Sequence, residues 1–184
     1  MRQGLAAHQV TGAEMHGTKF LALLAEAYKK VGQTEEGLTL LAEALAQVEK
    51  TGERLYEAEL YRLKGELTLA QSSVQSLASR VQTNPKAKGK KQKTKITNPQ
   101  PPTPNPQAEA EAEACFLKAI EIARKQQANS LELRAVMSLS RLWQQQGKRK
   151  KARQMLAEIY GWFTEGFDTK DLQEAKALLE ELSY

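Results

Sequence analysis

NPKAKGKKQKTKITNPQPPTPNP, residues 84–106, is the stretch on which the reading of this chain turns. It holds all six prolines and no acidic residue, whereas the sequence on either side repeats leucine, alanine, glutamate and lysine at helical spacing. Such a stretch is a linker between two domains, a basic arm, or an insertion into one continuous fold. The register of the flanks separates these. Working outward, Thr11-Gly12 returns as Thr51-Gly52, a shift of 40 residues. Aligned on that shift, helix-period segments fall into pairs, with first helices over 13–31, 53–71 and 131–146 and second helices over 34–50, 108–126 and 149–163. A final helix is expected over 169–183.

Two independent sets of positions then measure the odd segment. In the second helices Gly37, Ala112 and Ala152 share one position, followed by Leu41, Phe116 and Leu156, and by Ala44, Ala119 and Ile159. In the first helices Ala25, Gly65 and Ser140 align, with Tyr28, Thr68 and Trp143 three residues later. Both sets step by 40 once and by 75 once, an excess of 35 residues, which is about the length of the acid-free segment 72–107. Residues 72–107 are therefore read as a disordered insert within the second pair, between repeat regions 1–71 and 108–184, and not as a domain boundary. Loop-closure entropy tolerates this, since lengthening a turn tenfold costs about 2 kcal/mol, and proline with like-charged lysine stays extended and solvated.

The charge follows the same division. The chain of 184 residues carries a formal net charge of +5, but 72–107 holds seven basic residues and no acid, which leaves 20 basic against 22 acidic residues elsewhere. The six lysines of 86–95 could neutralise phosphates. No aromatic lies between 72 and 107 to stack on a base, so a solvated insert is the preferred reading and nucleic-acid or anionic-surface binding the alternative. One cysteine excludes an internal disulfide and fits a reducing compartment. No apolar run approaches a membrane span, and no signal peptide is evident at the N-terminus. The chain is expected to be cytoplasmic.

These positions carry a family resemblance. Ala25, Tyr28, Gly32, Gly37, Leu41 and Ala44, and again Ser140, Trp143, Gly147, Ala152, Leu156 and Ile159, resemble the tetratricopeptide repeat; the middle unit matches at Gly65, Ala112, Phe116 and Ala119 but has Thr68 at the aromatic position. The unit of 40 residues is longer than is usual for that repeat. FLALLAEAYKKVGQTEEGLTLLAEAL, ELYRLKGEL, SLELRAVMSLSRLWQQQGK and IYGWFTEGFDTKDLQEAKALLEEL resemble the C-terminal repeat region of bacterial signalling proteins in which a class III adenylate/guanylate cyclase or kinase domain and an ATPase precede the repeats. The resemblance implies an all-α, right-handed α-solenoid of about three helix pairs with a C-terminal capping helix, and a chain opening partway through a repeat. It also implies a partner that is a protein or peptide, with an ATPase or nucleotide cyclase domain as a candidate.

No catalytic constellation stands out. Gly147-Lys148 lacks the upstream glycine and following Ser/Thr of a phosphate loop and reads as an interhelix turn. His8 and His16 have no cysteine or acidic cluster beside them, so no metal or cofactor is expected. Cys115 reads as an inert thiol on a helix, and Glu109 and Glu113 as solvated surface charges. A non-enzymatic interaction scaffold is the expectation, with the first helices lining the concave side. Register places Ala22, Glu26, Lys29 and Lys30 there in the first pair, Glu59, Arg62 and Glu66 in the second, and Arg134, Met137, Arg141, Gln144 and Gln145 in the third. In the last helix Thr169 or Asp168 is expected to cap by accepting a backbone N–H, with Leu172, Ala175, Leu179 and Leu182 buried and Glu174, Glu180 and Glu181 facing water.

Overall fold

The computed structural model describes residues 17–82 and 105–184, and among these it is entirely helical, with no strand. Seven helices follow one another: α1 Gly17–Lys30, α2 Thr34–Thr51, α3 Glu57–Gln82, α4 Pro106–Lys125, α5 Asn129–Gln145, α6 Arg149–Tyr160 and α7 Lys170–Glu181. Each packs on the next. In addition α1 packs on α3, α3 on α5 and α5 on α7, so the odd-numbered helices form one contiguous layer. His8, His16 and the lysines of 86–95 lie outside the described residues.

Short turns set the antiparallel pairing, and their chemistry repeats. Gly32 (φ 75°) ends α1 and Gly147 (φ 76°) ends α5, both in the left-handed region. The next residue donates its N–H back over the turn, Gln33 to the Tyr28 carbonyl at 3.0 Å and Lys148 to the Trp143 carbonyl at 2.7 Å, which satisfies a carbonyl the helix end leaves open. Gln127, between α4 and α5, does the same at φ 54°, with Ala128 N–H on the Ala123 carbonyl at 2.9 Å. It stands 75 residues after Gly52, itself at φ 73°. A side chain there opposes the left-handed conformation, so Gln127→Gly is expected to raise stability by about 1 kcal/mol, read as an upward shift in a urea midpoint.

The second pair differs from the sequence reading at both of its inner ends. Helix α3 continues to Gln82, so residues 72–82, assigned to the insert, are helical. Ser72 is buried and its Oγ accepts the Asn105 N–H at 3.0 Å, while Ser73 and Ser76 return their hydroxyls to the carbonyls of Leu69 and Ser73. Serine-rich sequence reads as a breaker because such hydroxyls compete with the backbone, but packing against the start of α4 holds it in helix. Helix α4 begins at Pro106, not 108. Asn105 is its N-cap, accepting the Ala108 N–H on Oδ1 at 2.7 Å, and proline fills the first helical position, where no N–H is needed.

The register positions meet as the spacing requires. Ala25, Leu41, Ala44, Ala112, Ala119, Ser140, Ala152 and Leu156 have no exposed surface, and Phe116 and Trp143 have 1%. Gly65 lies against Phe116 so closely that a Cβ on it would stand 2.6 Å from the ring Cε1. Gly37 similarly faces Leu67, at 2.9 Å from such a Cβ. One apolar cluster joins α4 to α7 around Phe116, Leu139, Trp143 and Leu156, and another joins α1 to α3 around Leu41, Leu60 and Leu67. Glu109 and Glu113 are not solvated surface charges: Glu113 Oε1 accepts the Trp143 indole N–H at 3.0 Å and Glu109 Oε2 accepts Gln146 Nε2 at 2.8 Å, clamping α4 to the end of α5.

Helix α7 corrects two expectations. Thr169 takes the N-cap position, yet its hydroxyl donates to the Gly166 carbonyl at 2.7 Å and accepts no N–H, because the turn before it folds back onto Gly166. Its buried stripe is Leu172, Ala175, Leu178 and Leu182, with Leu179 partly covered at the edge. Steps of three, three and four keep Leu178 on the stripe, and Leu179 falls one position beyond it.

Candidate partner-binding groove

Across the layer of odd-numbered helices runs a depression of about 390 Å³ lined by Glu26, Lys29, Arg62, Glu66, Arg134, Met137, Ser138, Arg141, Lys170, Asp171 and Glu174. Register arithmetic on three helices thus brings seven of its residues to one place. The other two α5 residues expected there separate: Gln144 and Gln145 line a neighbouring cleft, also about 390 Å³, with Arg141, Glu174 and Glu181. Ala22 is buried at 4% and belongs to the core, because it faces the interior of the α1–α3 cluster. Lys30 points outward and reaches Glu26 at 3.2 Å across one helical turn.

The charges in the depression are bound to one another. At its centre Arg62 is 7% exposed and grips two carboxylates: Nε donates to Glu59 Oε2 at 2.8 Å, Nη2 to Glu59 Oε1 at 2.7 Å, and Nη1 to Glu66 Oε1 at 2.6 Å. This doubly held geometry is what a rigid guanidinium fork offers and a lysine does not. Glu66 reaches the flanking helices on both sides, accepting from Lys29 of α1 and from Ser138 Oγ of α5 at 2.7 Å. Glu59 Oε1 also lies 3.0 Å from Arg134 Nη2, Arg134 Nε lies 4.0 Å from Asp171, and Arg141 Nη2 donates to Glu174 at 3.1 Å. One continuous network therefore ties α1, α3, α5 and α7.

Electrostatics follow from the geometry. Burial acts to raise the Glu66 carboxyl, but Arg62 and Lys29 together with the hydrogen bonds from Lys29 and Ser138 hold it below its ordinary value. Glu26 shows the same balance, with burial opposed chiefly by Lys30 and then by Arg134 and Arg62. For Arg62, burial favours the neutral form, yet Glu59 and Glu66 overcome it and keep the guanidinium charged. Five cations (Lys29, Arg62, Arg134, Arg141, Lys170) face four lining carboxylates with Glu59 beneath, so the depression is neutral as a whole. It offers paired dipoles to a partner and no surplus charge.

Some of its members were not read from the sequence. Ser138, Lys170, Asp171 and Glu174 were missed, and Glu174, expected to face water, pairs with Arg141 and Lys170. A signal existed: Asp171 and Glu174 stand 40 residues after Leu131 and Arg134, so α7 keeps the register of a first helix. Cys115 is buried, and burial first, aided by Glu111 and opposed by Lys64, pushes its thiol up, which leaves it protonated near neutral pH. Among the described residues no group of three or more His, Cys, Asp or Glu is placed to hold a metal, and no helix is long and apolar enough to cross a membrane. Comparison with known proteins yields no matching family model and no matching curated protein.

Proposed function

We propose that this chain is a non-catalytic protein–protein interaction scaffold, a right-handed α-solenoid of about three tetratricopeptide-like pairs in which α7 terminates the stack. The groove of the odd-numbered helices holds an extended peptide or a helix of a partner polypeptide. The observation that carries this reading is the joining of α1, α3, α5 and α7 into one layer with a polar depression along it. A layer whose inner helices pack directly is the concave side of such a stack. The polar outer face of α7, where Gln173, Lys176 and Glu180 are exposed, suits a terminal element. The partner we favour carries the ATPase or class III nucleotide cyclase domain of a bacterial signalling system in the cytoplasm.

Site-specific photo-crosslinking tests this reading. A benzophenone side chain is placed in turn at Arg141 and Lys170, exposed residues that line the depression, and at Lys118, exposed on α4. We expect adducts from Arg141 and Lys170 to one discrete polypeptide, mapped by mass spectrometry to one segment of it, and none from Lys118. Equal adducts from all three positions, or none from the groove, would contradict the reading.

A further inference from the structure

Helix α6 opens on KRKKAR, with Lys148, Arg149, Lys150, Lys151 and Arg153 giving five cations in six residues; the next acid along the chain is Glu158. All five are exposed. They sit at the end of the helix where cations are unfavourable, since the aligned peptide dipoles present their positive pole there, and the first turn holds no acid and no side-chain cap. This arrangement does not serve the stability of α6.

Three members are held in place from behind. Lys148 Nζ lies 3.8 Å from Glu113, Lys151 Nζ sits 3.9 Å above the buried Trp143 ring, and Arg153 Nε donates to Ser183 Oγ at 3.1 Å. Arg149 and Lys150 form no ion pair with a described residue. Glu113 is the one carboxylate in ion-pair reach of the cluster among the described residues, so five cations face one anion. The contrast with the groove is complete, because there every cation is matched.

We propose that this cluster is a docking surface for the phosphodiester backbone of a nucleic acid, distinct from the groove. Closely spaced cations with no counter-charge fit a closely spaced line of anions, and a duplex presents one phosphate charge for about every 1.7 Å of its axis. No large apolar side chain from 148 to 161 is exposed, so α6 itself offers no wedge to enter a bilayer. Tyr184, exposed next to the Ser183 that holds Arg153, is a single ring and not the succession of aromatics on which single-stranded bases stack. Binding is through the backbone and indifferent to sequence.

The test uses fluorescence anisotropy of a short labelled DNA duplex with the full chain, between about 50 and 200 mM salt. Because the lysines of 86–95 also attract polyanions, all measurements are repeated in a chain with those six lysines changed to serine. In both backgrounds the triple variant Arg149→Ser/Lys150→Ser/Arg153→Ser is expected to bind about tenfold more weakly and to flatten the salt dependence by two to three charges. Unchanged helicity by circular dichroism separates loss of binding from loss of fold. Equal affinities with and without the triple change in the serine background would overturn the proposal. So would tighter binding to a polyglutamate peptide or to phosphatidylserine vesicles than to the duplex.

Discussion

Gly65→Leu is expected to cost about 3 kcal/mol or more and to lower the melting temperature by about 10 °C. A Cβ at position 65 would stand 2.6 Å from Phe116 Cε1 and 3.0 Å from its Cδ1 and Cζ. The Phe116 ring is 1% exposed and seated in the α4–α7 cluster, so it has no solvent-side room into which to turn. Overpacking of a dense core costs about 1–3 kcal/mol per insertion, and leucine adds three carbons beyond the first. Against this stands only the better helix propensity of leucine, about 1 kcal/mol. A domain stable by about 5–15 kcal/mol loses a large share of its margin. Thermal and urea melts followed at 222 nm read the result, and a melt unchanged from the parent would mean that the two helices do not approach as described.

Arg62→Ala carries the second large effect. Its removal leaves Glu59 and Glu66, 6% and 15% exposed at the side chain, without the guanidinium that neutralises them. Breaking a buried pair from one side costs about 3–5 kcal/mol, and Lys29, Arg134 and Ser138 remain to soften the loss. The sign of its pH dependence follows from Glu66. Its folded carboxyl titrates below its ordinary value of 4.5, so the stability it contributes is fully present above that value and is lost as pH falls through the folded one. In the variant, burial acts on Glu66 with less opposition, and protonation relieves the stranded charge. The cost of Arg62→Ala should thus be larger at about pH 7 than at about pH 4. Denaturant melts of parent and variant at both values check this; a cost independent of pH would place Arg62 outside the network.

How far the sequence disclosed this molecule depends on the range of the interactions involved. The pairing of α3 with α4 was legible because Gly65 and Phe116 recur in register with Ala25 and Leu41, and with Ser140 and Leu156, so a single period located both sides of a contact. Register placed Glu26 and Lys30 together on α1, and the structure pairs them across one helical turn. The extension of α3 to Gln82 was not, since the serines of 72–76 stay helical through Ser72's contact with Asn105, a residue far along the chain. Nor was the Lys29–Glu66–Ser138 link: register puts these side chains on one face of the layer, but only the approach of α1, α3 and α5 brings them to hydrogen-bond distance. The same approach buries Glu59, Arg62 and Met137, all three expected to be open to a partner.

Helices α3 and α4 form one helical hairpin although residues 83–105 part them along the chain. A double-mutant cycle between positions 65 and 116 tests it most directly, using Gly65→Leu, Phe116→Ala and the two together. Phe116→Ala alone costs about 3–5 kcal/mol, and the space it vacates should admit the new leucine. The account predicts that the double variant is more stable than the sum of the single losses implies, by about 2 kcal/mol or more. Strict additivity of the two losses would contradict it.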